Sequence, residues 1–351
     1  MQVSKINENK AITIYDIASE AGVSPSTVSR VLTNNANVRP EKKERILQLI
    51  AKYNFKPNAL ARGLADTRSK VIGLLTADVR NPFYAALYVE CEKAAHEAGY
   101  TLLSSNSLAV LEQEKALMEK LQEQRVDAII QVGGSVDALS TNLEYSEFIN
   151  QIMTTTPVIV TGKLDGTQCH MVQIDATKVM DLLMEHLLAL NHKKIAIIAG
   201  SMEVASTFIK VQRYKQILQK NKIEYCPELV LTHGSYDFEC GYEFMNKLLD
   251  EGNVPTAVIA MNDYSAVGVV RSIQEHGYRI PEDISVVSQD NTFLTGIASP
   301  KLTSVDYDYE EFSRMLISTA IAVIEDREVS MLQKVAPNLV IRQSSGYAPD
   351  N

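Results

Sequence analysis

AITIYDIASEAGVSPSTVSRVL, residues 11–32, decides how the rest of the chain is read. Ile14, Ile17, Ala18 and Ala21 recur at i, i+3, i+4 and i+7, the spacing of one apolar face of a helix. Gly22 supplies the permissive backbone for a tight bend. Ser24 is a good N-cap and Pro25 a good first residue, so a second helix starts there with Val28, Val31 and Leu32 turned inward. A third helix is expected from Pro40, with Ile46, Leu47, Ile50 and Ala51 as its apolar stripe and Pro57 closing the element. Two short helices meet at a glycine, and the second carries hydroxyls and one arginine. Such a surface suits a DNA groove.

The whole chain is nevertheless acidic, with a net charge of −9 over 351 residues. The charge is unevenly spread. Residues 1–70 hold 12 Lys and Arg against 6 Asp and Glu, and the remainder holds 22 against 37. A basic head on an acidic body is the asymmetry of a nucleic-acid-binding module joined to something else. The first twelve residues, MQVSKINENKAI, are polar and contain no apolar core of a secretory signal. No apolar run approaches the roughly 18 residues of a membrane span. Cys91, Cys169, Cys226 and Cys240 are scattered without a CxxC pair, as expected of reduced thiols in a cytoplasmic protein. The six histidines show no ligand spacing, so neither a metal nor a cofactor is expected.

Beyond Lys70 the texture changes to short Val- and Ile-rich runs: 71–76, 127–133, 157–162, 193–200, 256–263 and 284–290. Helical patterns such as 83–98, 112–124, 176–190, 210–220, 239–251 and 264–276 lie between them. Runs that turn polar only at their C-terminal ends indicate parallel strands covered on both faces. The body is therefore α/β and doubly wound. Ligands of such sheets bind at the carboxyl ends of strands. That rule selects Thr76–Asp78, Gln131–Ser135, Thr161–Lys163, Gly200, Asn262–Asp263 and Gln289–Asn291.

With the helix-turn-helix in place, TIYDIASEAGVSPSTVSRVL closely resembles the head of the LacI/GalR family of bacterial transcription regulators. The resemblance continues in order through KPNALARGLADTRSKVIGLL, DVRNPFYAAL, NHKKIAIIAG, VPTAVIAMNDYSAVGVVRSI, YRIPEDISVVSQDN, SPKLTSVDYDY and LVIRQSS. It implies an N-terminal three-helix helix-turn-helix headpiece plus hinge helix, followed by an α/β periplasmic-binding-protein-like core of two doubly wound subdomains. The headpiece is expected over 1–57, the hinge over 58–69 and the core over 70–348. The N-subdomain would take about 70–161 and 307–334, and the C-subdomain about 162–306 and 335–348, with crossings near Thr161, Tyr307 and Val335. No leucine heptad precedes the final GYAPDN, so a homodimer is expected.

The resemblance also implies roles for residues. The second helix lies in the major groove, where Pro25, Ser26 and Arg30 match base-reading positions. Arg30 can fork onto guanine O6 and N7 or clamp a phosphate. Pro25 offers no side-chain hydrogen bond, which leaves more of the reading to Ser26, Thr27 and apolar contact. Tyr15, Ser24, Thr27, Ser29, Asn37 and Arg39 resemble residues that place the headpiece on phosphates. Asn58 and Ala61 belong to the hinge NALARGLA, and Leu64 falls on the leucine wedged between base steps of a pseudo-palindromic operator. Gly63 weakens that helix, so it is expected to form only on DNA.

In the core, the resemblance assigns a small effector, a sugar or sugar derivative, to Asp290, Asn262, Tyr236, Phe83, Tyr84, Ser135, Ser206 and Lys210. Two departures bear on that ligand. Relatives carry an arginine and, three residues later, a glycine, where this chain has Lys210 and Arg213. Lysine offers a point charge in place of a planar fork. Either Lys210 serves a different ligand, which is the preferred reading, or Arg213 replaces the missing guanidinium. Ser288 and Gln289 stand where a glycine and an aromatic are common, adding polarity beside Asp290.

The rival classes fare worse. There is no GxGxxG after a strand, no Walker lysine and no GxSxG elbow, so an enzyme is not expected. A secreted solute-binding protein would lack the basic head. The alternative within the family is a global catabolite-type regulator whose core also binds a phosphorylated carrier protein. On either view an effector works by shifting populations of the core, and induction is favoured over co-repression.

Overall fold

The computed structural model describes residues 12–32, 38–55 and 68–349, which fall into two units, Met1–Ser69 and Lys70–Asn351. In the first unit, α1 spans Ile14–Ala21, α2 Pro25–Leu32 and α3 Pro40–Lys52. A capping box starts α1: Asp16 N–H donates to Thr13 Oγ1, and the Thr13 N–H returns 2.8 Å to Asp16 Oδ2. Gly22 ends the helix in the left-handed region at φ 67°, the conformation that glycine adopts without strain. Ile17, Ala18, Ala21, Val28, Val31, Ile46 and Leu49 form the core. The stripe of α3 is thus one residue off the expectation. Ile46 and Leu49 are buried and Ile50 half-buried, whereas Leu47 and Ala51 are exposed. Spacing of i, i+3 and i+4 from Ile46 selects 49 and 50, and a leucine at 47 points some 100° away. At the far end of α3, Lys52 Nζ and Tyr53 OH both donate to the Glu20 carboxylate, which ties α3 to α1.

The second unit contains two six-stranded sheets. Its strands are β1 Val71–Thr76, β2 Thr101–Asn106, β3 Ala128–Val132, β4 Val158–Val160, β5 His170–Ile174, β6 Ile195–Ile198, β7 Val230–Leu231, β8 Ala257–Ala260, β9 Ser285–Asp290, β10 Thr303–Asp306, β11 Leu332–Val335 and β12 Asn338–Val340. The N-lobe sheet has the order β11-β5-β4-β3-β1-β2, and the C-lobe sheet has the order β12-β10-β9-β8-β6-β7. All pairings are parallel except β10 with β12. The helices are α4 Pro82–Glu97, α5 Leu111–Glu123, α6 Leu143–Met153, α7 Ala176–Ala189, α8 Ala205–Lys220, α9 Phe238–Asp250, α10 Asp263–Glu275, α11 Leu294–Ile297 and α12 Tyr309–Ile324.

Both faces of the N-lobe sheet are covered, which explains its unbroken apolar strands. One face packs Ile72, Leu74 and Ile130 against Leu87, Phe312, Leu316 and Ile317, and the other packs Leu75, Ile129 and Val160 against Met118, Tyr145 and Ile149. The C-lobe core forms a single cluster around β6, β8 and β9. The chain passes between lobes three times. The second and third crossings follow Asp306 and Val335. The first lies later than the expected Thr161. β5 pairs with β4 and β11, so the chain stays in the N-lobe to Ile174, well past Thr161. His170 and Gln173 make β5 only half-buried, and it lacks the apolar signature of the inner strands. Among the described residues, no helix is long and apolar enough to cross a membrane.

Candidate functional site

The headpiece presents the side chains expected to face DNA at the start and along the exposed face of α2. Val28 and Val31 are buried against α1 and α3, and Ser26 and Arg30, four residues apart, share the exposed face. At the start of the helix three hydroxyls meet: Ser24 Oγ lies 2.8 Å from Ser26 Oγ and 2.9 Å from Thr27 Oγ1. The Ser24 carbonyl accepts from the Thr27 and Val28 N–H groups and so closes the first turn. Pro25 and Ser29 are half-buried, Arg39 is exposed just before α3, and Tyr15 is 70% exposed. A tyrosine so exposed is not held by packing. Hydroxyls at a helix N-terminus beside an exposed arginine form a surface for phosphate and base edges. Asn37, Asn58, Ala61 and Leu64, together with the hinge helix, lie outside the described residues.

The second site is a cavity of about 740 Å³ between the two lobes of the core. Its N-lobe wall carries Phe83, Tyr84, Asp137 and Thr161, and its C-lobe wall carries Ser206, Lys210, Tyr236, Asn262, Gln289 and Asp290. Most come from a strand end or the first turns of a helix. Phe83 and Tyr84 open α4, where Asn81 Oδ1 accepts from the Phe83 N–H. Phe83 stacks edge-on to Tyr84 and Tyr307, with ring centroids 5.1 and 6.1 Å away. The Tyr236 ring is fixed by a 2.7 Å hydrogen bond between its hydroxyl and Thr207.

Asp290 ends β9 with φ 97°, a backbone state that is costly for a residue bearing a Cβ. The Tyr309 hydroxyl donates to its carbonyl at 2.8 Å and helps to hold it. Burial pushes its carboxyl well above the ordinary range, and nearby Asp263 adds to the rise while Lys210 and Tyr307 oppose it. Asp263 itself lies behind the cavity wall. It accepts from Ser288 Oγ at 2.6 Å, Ser304 Oγ at 2.7 Å, and the Thr292 N–H and hydroxyl at 2.6 and 3.0 Å. Burial lifts it to about 6 in spite of these donors.

Lys210 is buried on α8, and loss of solvent lowers its ammonium to about 8 against the pull of Asp290 and Asp137. Asp137, half-buried and open to the cavity, is raised to about 6 by burial and by Glu114, with Lys210 opposing. These three charges come from three separate segments and converge on one space. Two neighbours add unused valences. Asn262 Oδ1 is committed to the Ser265 N–H and hydroxyl, which leaves its buried Nδ2 without a partner. Gln289 Nε2 donates to the Met261 carbonyl, which leaves Oε1 unpaired. The backbone partners fix both amide orientations, and the two unpaired atoms are buried within the wall.

Of the eight effector residues expected from sequence, seven line the cavity and Ser135 does not. Its N–H is drawn backward to the buried Glu114 carboxylate at 3.1 and 3.3 Å. Gly134 makes this possible: it sits at φ 73°, and a Cβ there would lie 1.9 Å from Glu114 Oε1. The turn delivers Asp137 to the cavity in place of Ser135. Sequence reasoning stopped two residues short of it, although the strand-end rule pointed to that loop. Arg213 pairs with Asp181 at 2.5 Å outside the cavity, so Lys210 alone takes the arginine position. Ser288 Oγ donates to Asp263 and is not among the residues lining the cavity, whereas Gln289 lines it.

Comparison with known proteins matches both units. Residues 13–58 match the family described as bacterial regulatory proteins, lacI family, and residues 184–345 match the periplasmic binding protein-like domain. Catabolite control protein A of Priestia megaterium is 33% identical over 296 residues, covering 84% of this chain and 87% of its own. The same protein of Staphylococcus epidermidis is 30% identical over 331 residues, covering 94% and 97%. The lac repressor dimer bound to operator and the anti-inducer ONPF superposes with a TM-score of 0.84 at 26% identity, covering 96% of this chain and 100% of that one.

Proposed function

The chain belongs to the LacI family of bacterial regulatory proteins and is a transcription regulator, and we propose that it is a dimeric repressor whose operator affinity is set by an uncharged, polyhydroxylated effector in the inter-lobe cavity. The observation that carries this reading is the cavity's set of polar groups. Lys210 would repel an ammonium, and Asp137 and Asp290 would disfavour a carboxylate or phosphate. A hydroxyl serves all three, because it can accept from the lysine and donate to a carboxylate. The Tyr236 ring offers an apolar face for a sugar. The expected partners are a pseudo-palindromic operator read by Ser26 and Arg30 on α2, a second copy of the chain and a small sugar.

A second reading is a catabolite-type regulator whose core also takes a phosphorylated carrier protein. It is favoured by the names of the two relatives above. One experiment addresses both. The full chain is titrated onto DNA from its own upstream region by fluorescence anisotropy, against neutral sugars, sugar phosphates, amino sugars and nucleosides. A neutral sugar should move operator affinity at least about tenfold, the scale of an ordinary allosteric coupling. Lys210→Ala should weaken that response about as much, and Arg213→Ala should leave it within twofold. A response confined to charged ligands, or one lost equally in both variants, would reject the neutral-effector reading. A response requiring the phosphorylated but not the unphosphorylated carrier would favour the second.

A further inference from the structure

Apart from the three chain crossings, the lobes are joined by one backbone–backbone hydrogen bond among the described residues. The Leu139 N–H of the N-lobe donates to the Glu203 carbonyl of the C-lobe at 2.6 Å, and Ala138 and Val204 form an antiparallel β-bridge beside it. Both halves of this contact are firmly mounted. On the N-lobe side, Glu114 holds the Ser135 N–H, and the Lys163 N–H donates to the Val136 carbonyl at 2.7 Å. On the C-lobe side, the Val204 N–H donates to the Ser201 carbonyl at 3.0 Å, and Ser201 bridges to His233. A lobe cannot move without moving its half of the bridge.

The contact also touches the cavity on both sides. Asp137, one residue before the bridge, lines it, and so does Val204, the residue from which α8 carries Ser206 and Lys210 into it. Leu139 is 46% exposed, so water can replace the bond when the lobes part.

We propose that residues 137–139 and 203–204 form the latch of the cavity. A ligand hydroxyl tying Asp137 to Lys210 draws the two strands together and holds the lobes shut, and breaking the bridge lets them open. The ligand-coupled half of this proposal rests on the cavity reading above, whereas the latch itself is tested without any ligand.

Hydrogen exchange of the full, ligand-free chain is followed by mass spectrometry in the wild type, Leu139→Ala and Leu139→Pro. Ala138 has φ −61° and ψ 138°, a conformation compatible with a following proline, so Leu139→Pro removes the N–H donor without straining the residue before it. In the wild type and in Leu139→Ala, the amide at 139 should exchange at least about tenfold slower than an open amide. In Leu139→Pro, peptides over 203–210 should exchange roughly five- to tenfold faster, the worth of one backbone hydrogen bond, with β6 and β8 unchanged. An unprotected amide at 139 in the wild type, or equal exchange over 203–210 in both variants, overturns the latch.

Should Leu139→Pro also unprotect β6 and β8, the double variant Ala138→Cys with Val204→Cys decides. Paired positions of an antiparallel bridge lie within disulfide reach. Near-complete cross-linking under mild oxidation, with slowed exchange over 203–210, supports the latch, and failure to cross-link refutes it. Success here with no sugar response in the operator titration would instead fault the cavity reading alone.

Discussion

Asp263→Asn exposes the electrostatics behind the cavity wall with little change of shape. In the wild type this carboxylate is buried, accepts four hydrogen bonds and has its pKa raised to about 6 from an ordinary 3.8. A carboxyl whose folded pKa lies above its unfolded value binds more protons in the folded state between the two. Its contribution to stability is therefore complete below about 3.8 and is lost as pH rises through about 6. Between pH 5 and pH 8 the loss amounts to about 1.4 kcal/mol. Asparagine cannot titrate, so the variant lacks this slope. It also turns an NH₂ group toward one of the donors on Ser288, Ser304 or Thr292, at a cost of about 1–3 kcal/mol. Removing the charge relieves Asp290 of one of the causes of its raised pKa, which flattens the variant's pH dependence further. The variant should thus be less stable than the wild type at both pH values, and by at least about 1.4 kcal/mol more at pH 5 than at pH 8. The chain has no tryptophan, so urea unfolding of both proteins is best followed by far-UV circular dichroism at the two pH values. A destabilisation equal at both, or larger at pH 8, would refute the burial-driven rise of Asp263.

Effector binding should be strongest between about pH 6 and pH 8, because it needs Asp137 ionised and Lys210 protonated. Calorimetric titration should find the alkaline limb missing in Lys210→Met and the acid limb missing in Asp137→Asn. Gly134→Ala should displace the turn that carries Asp137 and weaken effector binding at least about tenfold, with operator binding by the free protein retained in anisotropy. Arg30→Ala should cost about 1–3 kcal/mol of operator affinity and relax selection at one base position. A uniform loss across operator variants would make Arg30 a phosphate contact.

Much of this architecture is legible in the sequence because it rests on local chemistry. Gly22, Ser24 and Pro25 mark the bend and start of α2, and the buried strands β1, β3, β6, β8 and β9 stand out as Val- and Ile-rich runs. The half-exposed strands carry no such mark. β2, TLLSSN, lies at the sheet edge, and β5, HMVQI, earns its place only through pairing with β4 and β11. The first crossing is therefore not legible from the local pattern. Leu47 looked like core because it is a leucine, yet helical phase assigns the interior to Leu49. In the cavity, Asn262 and Asp290 are legible as strand ends. Asp137 was missed because what turns it inward is a long-range contact, Glu114 with the Ser135 N–H, which no local spacing encodes.

The threading of the chain through both lobes has a consequence for its synthesis. The N-lobe's covering helix α12 and its edge strand β11 follow nearly the whole C-lobe in sequence. On the ribosome, the face formed by Ile72, Leu74 and Ile130 is therefore only partly covered, by Leu87 and Cys91 of α4, until Phe312, Leu316 and Ile317 emerge, while the headpiece and most of the C-lobe sheet are already complete. A nascent chain released after Asp306 would carry a finished headpiece on the same chain as a half-covered apolar sheet. It should be captured by chaperones or aggregate before it occupies an operator, so an unfinished regulator is removed from competition with the finished one.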